Sequence, residues 1–308
     1  MVAVVFGLVK NSKQHMIPYQ QEKEKNNNSK MPLKLSNIIQ GANKKLFKKR
    51  TNKNYPSITW LQEKSLKHQD ETNIKSIRLG NLTFHYKFPF EILHTYRELF
   101  EDEIYRFTAD TSTPLIIDCG ANIGLSVVYF KSLYPQSTII AYEPDEANIE
   151  LLNKNIEANK YKNVTIKKEA VWIQNEKLYF KSIGSQGSQI AADGLQKHDT
   201  VEVNAIRLAE VLQSQPVDFL KIDIEGAEYE VMKDCAQSLG KVKNIFVEYH
   251  GKVSETEKLT AILNILQNNG FRVYIKMAAD QLNHPFVLKQ TGGSFDVQLN
   301  IFGYRQQL

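Results

Sequence analysis

The segment Asp118-Cys119-Gly120-Ala121-Asn122-Ile123-Gly124 follows a short apolar run and opens an amphipathic one. In an open α/β sheet such a turn meets ligands at the carboxyl ends of the strands. Gly120 lets the backbone turn sharply and come close to a ligand, and Gly124 lets the following helix pack near the strand. Asp118 sets a carboxylate beside the same ligand, with Ala121 and Asn122 completing the loop. A dinucleotide loop needs G-x-G-x-x-G to cradle a pyrophosphate. Asn122 stands where its second glycine would be, and a strand-end acid suits a cationic sulfonium better than a pyrophosphate. Glu143 ends the next apolar run, 25 positions after Asp118. A carboxylate there can accept hydrogen bonds from both hydroxyls of a ribose, and Pro144 stops the strand behind it. Ala170, with Val171 and Trp172, follows a third run, where backbone groups can read an adenine.

Two further segments gather acids. Leu220-Lys-Ile-Asp223-Ile-Glu225-Gly226-Ala-Glu228 ends a fourth apolar run, and Phe246-Val-Glu248-Tyr-His250 ends a fifth. A helix cap accounts for one of these acids but not for all of them. Adjacent parallel strands lie about 4.8 Å apart, so Glu248 and His250 are expected beside Asp223 and Glu225. A histidine among carboxylates is a candidate for proton transfer.

These residues need elements to hold them. Pro114–Cys119, Ser137–Glu143, Asn163–Lys168, Val217–Asp223 and Val242–His250 read as continuous apolar strands. Helices are expected over Ile123–Leu133, Asp145–Asn159, Ala227–Leu239 and Ser254–Asn269. Phe271–Met277 and Ser294–Arg305 close the chain as two strands with no helix between them, an antiparallel addition at the sheet edge. The pattern predicts an α/β fold: a Rossmann-like, seven-stranded, mostly parallel sheet with helices on both faces and an antiparallel C-terminal hairpin. Ahead of it, Gly80-Asn81 predicts a hairpin turn between Ser76–Leu79 and Leu82–Tyr86, and residues 90–107 read as an amphipathic helix. An insertion near 174–214 carries strands at 176–181 and 200–204 joined by a polar segment.

Of the 308 residues, 42% are hydrophobic and 24% charged, as in an ordinary globular chain. No apolar run approaches the ~20 residues of a membrane helix, and Val2–Val9 has no signal-peptide flanks. Cys119 and Cys235 sit in apolar segments and read as packed thiols in a reducing, cytoplasmic compartment. Residues 1–67 hold 14 Lys or Arg against 3 Asp or Glu, a balance of +11, whereas the remainder balances at −6. Residues 1–70 are therefore read as a basic, partly disordered N-terminal arm, with a short helix at 33–50, able to touch an anionic surface. Residues 20–30 are low-complexity, and Met31 is an alternative start. Residues 71–308 are read as the folded domain that carries these motifs.

The motifs resemble the FkbM family of class I S-adenosylmethionine (SAM)-dependent methyltransferases, from about residue 75 to 304. The resemblance rests on DCGANIG with Asp118, Gly120 and Gly124, on YEPD with Glu143, on LKIDIEGAE, and on FVEYH. It implies SAM as cofactor, held by Asp118, Gly120, Ala121, Asn122, Gly124, Glu143, Pro144, Ala170 and Asp223. It also implies O-methylation of a hydroxyl on a small molecule or carbohydrate. In that reaction His250 is expected as the base, oriented by Glu248 or Glu225, with Asp223 as the competing base. No metal is assigned, although Asp223, Glu225, Glu228, Glu248 and His250 offer suitable ligand types. The rivals are a nicotinamide-dependent oxidoreductase, disfavoured by the missing glycine, and a non-catalytic SAM-binding scaffold. The acidic core disfavours nucleic acid as the acceptor.

Overall fold

In the strands of the central sheet, alternate apolar side chains enter two separate cores. Ile116, Phe219 and Phe246 face one, and Ile117, Leu220 and Ile245 face the other. This two-residue period in fully apolar strands is what a sheet buried on both faces requires. The computed structural model describes residues 54–181, 189–190, 201–280, 282, 284–287 and 293–305. The expected helix at 33–50 and the disorder expected for residues 1–30 lie outside them. Arg50–Leu308 is one compact unit.

The described chain opens with α1 (Trp60–Lys67), then the hairpin β1 (Lys75–Leu79) and β2 (Leu82–Tyr86). Helix α2 (Pro89–Tyr96) continues into a π-helical turn, Arg97–Glu101. The central sheet then alternates β3 (Leu115–Cys119), α3 (Leu125–Leu133), β4 (Thr138–Tyr142), α4 (Glu146–Ala158) and β5 (Val164–Lys167). After the insertion come β10 (Val217–Ile222), α6 (Glu228–Asp234), β11 (Val242–Gly251), α7 (Thr256–Asn268), β12 (Arg272–Ala279) and β13 (Val297–Tyr304). The strand order is β12-β13-β11-β10-β3-β4-β5, and only β13 runs against its neighbours. The terminal hairpin thus adds to the edge with β13 wedged inside, between β11 and β12.

The insertion folds into a second, small sheet of β6 (Ala170–Trp172), β7 (Lys177–Lys181), β8 (Gln189–Ile190) and β9 (Val201–Arg207), in the order β6-β9-β7-β8. Helix α5 (Leu208–Ser214) leads from it into β10.

Residues 54–70, which the charge pattern places in the arm, contain a packed element. Helix α1 starts at a capping box in which Thr59 Oγ1 accepts from the Gln62 amide and Gln62 Oε1 accepts from the Thr59 amide. Ile58 and Leu66 are buried in the same core as α2 and α3. Among the described residues no helix is long and apolar enough to cross a membrane. Both cysteines are buried free thiols.

Candidate functional site

Connections leave β3 toward β4 on one side and reach β10 on the other, so a crevice opens between β3 and β10 at their carboxyl ends. A cavity of about 300 Å³ lies there, walled by the ends of β3, β4, β10 and β11, by α2 and the π-helical turn, and by the start of β6.

On the β3–β4 side, Gly120 has φ of 81° and its amide donates to the Tyr142 carbonyl at 3.0 Å. A Cβ on Gly120 would stand 1.9 Å from the Asp223 carbonyl oxygen, so only glycine allows the β3 and β10 ends to meet this closely. The next residue but one, Asn122, also has a left-handed backbone, φ 48°. Its amide donates to Glu143 Oε2 at 2.8 Å, and its side-chain amide donates to Glu91 Oε1 at 2.5 Å. Glu143 Oε1 accepts from the Asp145 amide at 3.0 Å and from Asn148 Nδ2 at 3.3 Å. Burial nevertheless pushes the carboxyls of Glu143 and Glu91 up to about 7. Asn122 Oδ1 is buried without a hydrogen-bond partner in the protein.

Below the cavity floor Lys221 is nearly inaccessible, 3% exposed, in the middle of the sheet. Its ammonium donates to the Gly120 carbonyl at 2.7 Å and sits 3.3 Å from Asp118 Oδ1 and 3.2 Å from Asp223 Oδ2. Burial opposes that charge, but Asp223 and Asp118 overcome it and hold the lysine well above its ordinary value. Asp118 also accepts from Ser126 Oγ at 2.5 Å. Lys221 therefore ties the two strand ends together and neutralises part of the acid pair.

On the β10–β11 side the carboxylates gather around His250. Strand register sets Ile222 beside Val247, one step before Asp223 and Glu248. The His250 Nδ1 lies 3.2 Å from Glu228 Oε1, while Nε2 faces Glu248 Oε1 at 3.7 Å and Glu225 Oε2 at 3.8 Å. Glu228 is fully buried and folds back to accept from the Ile224 and Gly226 amides at 3.1 and 3.0 Å. The Phe295 ring packs 5.1 Å from the imidazole. Burial favours the neutral ring, but Glu228, then Asp223 and Glu225, outweigh it and raise His250 to about 10. Burial, then Asp223, pushes Glu225 and Glu248 up to about 8.

Gly120, Asn122, Glu143, Pro144, Ala170, Asp223, Glu225, Glu248 and His250 all line the one cavity. Asp118 and Ala121 lie behind the wall, at 0% and 2% exposure. Gly124 is also away from it, and its geometry differs from the expected helix-on-strand contact. A Cβ there would meet Leu152 Cδ1 of α4 at 2.2 Å, so this glycine admits the neighbouring helix. The carboxylate that orients His250 is Glu228, not Glu248 or Glu225. Glu91, Lys221, Tyr105, Phe90 and His94 of α2 and Glu98 of the π-helical turn were not singled out as site residues from the sequence. Lys221 did leave a signal, as a lone lysine inside an apolar strand.

The sheet order with its antiparallel seventh strand, together with a glycine loop and an acid at successive strand ends, defines a Rossmann-like methyltransferase. The family model described as Methyltransferase FkbM domain matches residues 118–273, and the chain belongs to this family. It is 28% identical over 207 residues to Methyltransferase sdnD of Sordaria araneosa, covering 56% of this chain and 80% of that one. It is also 28% identical over 214 residues to Methyltransferase 1 of Beauveria bassiana, covering 62% and 84%. Among solved structures, Methyltransferase FkbM from Methylobacillus flagellatus KT aligns with a TM-score of 0.42 and 15% identity, over 66% of this chain and 46% of that one.

Proposed function

We propose that this protein uses SAM to methylate a hydroxyl oxygen of a small molecule or carbohydrate, in the cytoplasm. The observation that carries the reading is a single cavity with an adenosine-suited carboxylate, Glu143, at one end and the acid–histidine cluster at the other. The residues fit the cofactor. Gly120 leaves a cradle that a Cβ would fill, and Asn122 Oδ1 is a buried acceptor that the protein leaves unpaired. Glu143 Oε1 is taken by the Asp145 amide and Asn148, but Oε2 accepts only from the Asn122 amide and keeps acceptor capacity for a ribose hydroxyl. Gly120, Pro144 and Ala170 line the same end.

Bound SAM supplies an electrophilic methyl group. The chain's part is to hold the acceptor oxygen in line, about 3–3.5 Å from the reacting carbon, and to receive its proton. In the free protein His250 keeps its own proton near neutrality, given its value of about 10. The acceptor's proton then passes to the Asp223 carboxylate, because burial raises Glu225 and Glu248 to about 8 and leaves them mostly protonated near neutrality, while Glu228 holds the imidazole in register. Calorimetric titration with SAM and with S-adenosylhomocysteine tests the cofactor half. Wild type should bind both, and Glu143→Ala should bind at least tenfold more weakly, the loss expected for roughly one charged hydrogen bond. No binding by the folded wild type would overturn the reading.

A further inference from the structure

We infer that Asp223, Glu225 and His250, with Glu248 beside them, form a binding site for one divalent cation of the Mn²⁺ or Mg²⁺ class. Ligand atoms of the first three lie within 4.8 Å of one another. An ion bonded at 2.0–2.6 Å sets its ligand atoms about 3–5 Å apart, so one ion can reach all three.

The imidazole supplies an observation independent of the acids. The His250 side chain is 2% exposed, and its Nδ1 is held by the fully buried Glu228. That bond fixes the ring so that Nε2 points among the carboxylates. There it stands 3.7 Å from Glu248 and 3.8 Å from Glu225, beyond the hydrogen-bond range of about 2.7–3.2 Å. A buried ring nitrogen is thus aimed at two acids at ion-pair distance and hydrogen-bonds to neither, with an ion's width between them. A carboxylate gripping the far nitrogen is the arrangement that orients metal-ligating histidines.

Charge points the same way. Lys221 serves Asp118 and Asp223, and Glu228 faces the histidine. Among the described residues lining the cavity there is neither lysine nor arginine, so His250 is the cationic group that faces Glu225 and Glu248. A divalent cation balances both, and its arrival displaces any Nε2 proton to solvent. Carboxylate oxygens with a single imidazole favour Mn²⁺ or Mg²⁺ over thiolate-seeking metals. The ion's role, holding an acceptor oxygen at a remaining coordination position, rests on the methyl-transfer reading, but the site itself does not.

The test is titration of the purified full-length protein with Mn²⁺, followed by electron paramagnetic resonance, without SAM or acceptor. The expected result is one saturable Mn²⁺ per chain at up to millimolar concentration. Glu225→Gln and His250→Ala should weaken it at least tenfold. Glu228→Gln should weaken it by roughly 10–100-fold through the loosened ring. Absence of saturable binding would overturn the proposal, as would binding unchanged in Glu225→Gln, whose near-isosteric side chain keeps the fold testable by its melting temperature. A parallel SAM titration separates failure of the ion site from failure of the methyltransferase reading.

Discussion

Glu143 shows how one side chain can be legible in the sequence while its energetics are not. Its position after a strand, 25 residues beyond Asp118, marks it as an acceptor for a ribose. Its burial, and the second buried acid Glu91 on the far side of Asn122, emerge only when α2 folds over the loop. The same limit explains Glu228. Three acids follow β10 within six residues, and spacing cannot say which of them turns back beneath the Ile224 and Gly226 amides to meet His250. A consequence follows for Glu143. Its carboxyl is raised to about 7, and the ionised form is the stronger acceptor for a ribose hydroxyl. SAM affinity should therefore strengthen as pH rises from about 6 to about 8, by up to roughly tenfold per pH unit below the transition. Isothermal titration across that range measures it. Glu143→Gln should bind weakly and without this pH dependence, and a wild-type affinity flat across the range would refute the assignment.

At the scale of elements, the parallel strands were readable because each is a short, continuous apolar run. What was not readable depended on tertiary contact. Helix α1 has the sequence WLQEKSLK, of which only Leu66 is fully buried, so its apolar periodicity is faint and its best local sign is the Thr59–Gln62 capping box. The expected helix over 90–107 is shorter, and the Asp102 amide reaches back to the Arg97 carbonyl at 2.9 Å to form the π turn that sets Glu98 and Leu99 on the cavity wall. Such turns often occur at functional sites. The β3–β10 junction yields a sharp prediction. Gly120→Ala should destabilise the fold by at least about 1–2 kcal/mol from its left-handed backbone alone, with steric overlap against Asp223 added. Gly240→Ala, where an added Cβ meets nothing within 4 Å, should stay within about 0.5 kcal/mol of wild type in urea unfolding. Helix α2 yields another. Glu91 is raised from 4.5 to about 7, so its favourable contribution is complete below pH 4.5 and is lost as pH climbs to 7. Glu91→Gln, which can still accept from Asn122, should match wild type at pH 4 and be more stable at pH 8. The gain is of the order of 1–3 kcal/mol, seen as a melting temperature several degrees higher. Equal melting temperatures at pH 8 would count against it.

Over the whole molecule, charge is sorted along the chain. Residues 1–67 carry a balance of +11 and the rest −6. The acidity of the folded part is concentrated where it bears on recognition. Glu98, Glu143, Glu169, Asp223, Glu225 and Glu248 all line the cavity, and the nearest buried cation, Lys221, is already committed to Asp118 and Asp223. Above about pH 8, where the raised carboxyls of Glu143, Glu225 and Glu248 ionise, a wall of this sign attracts cationic ligands and repels anions, and its low-dielectric surroundings weaken the screening that salt would otherwise provide. SAM, with a net positive charge, suits such a wall, and so does a neutral polyol whose hydroxyls donate to carboxylates. A phosphorylated or carboxylated acceptor does not. In a screen with radiolabelled methyl donor, uncharged acceptors should therefore be methylated in preference to their phosphorylated counterparts, by at least about tenfold in kcat/KM, or roughly 1.4 kcal/mol. Glu98→Gln, which removes one wall charge on the π-helical turn, should narrow that ratio without changing SAM affinity. A phosphorylated acceptor turned over as well as its neutral parent would mean that the wall charges are neutralised in the working enzyme, and the acceptor class would then have to be sought among anions.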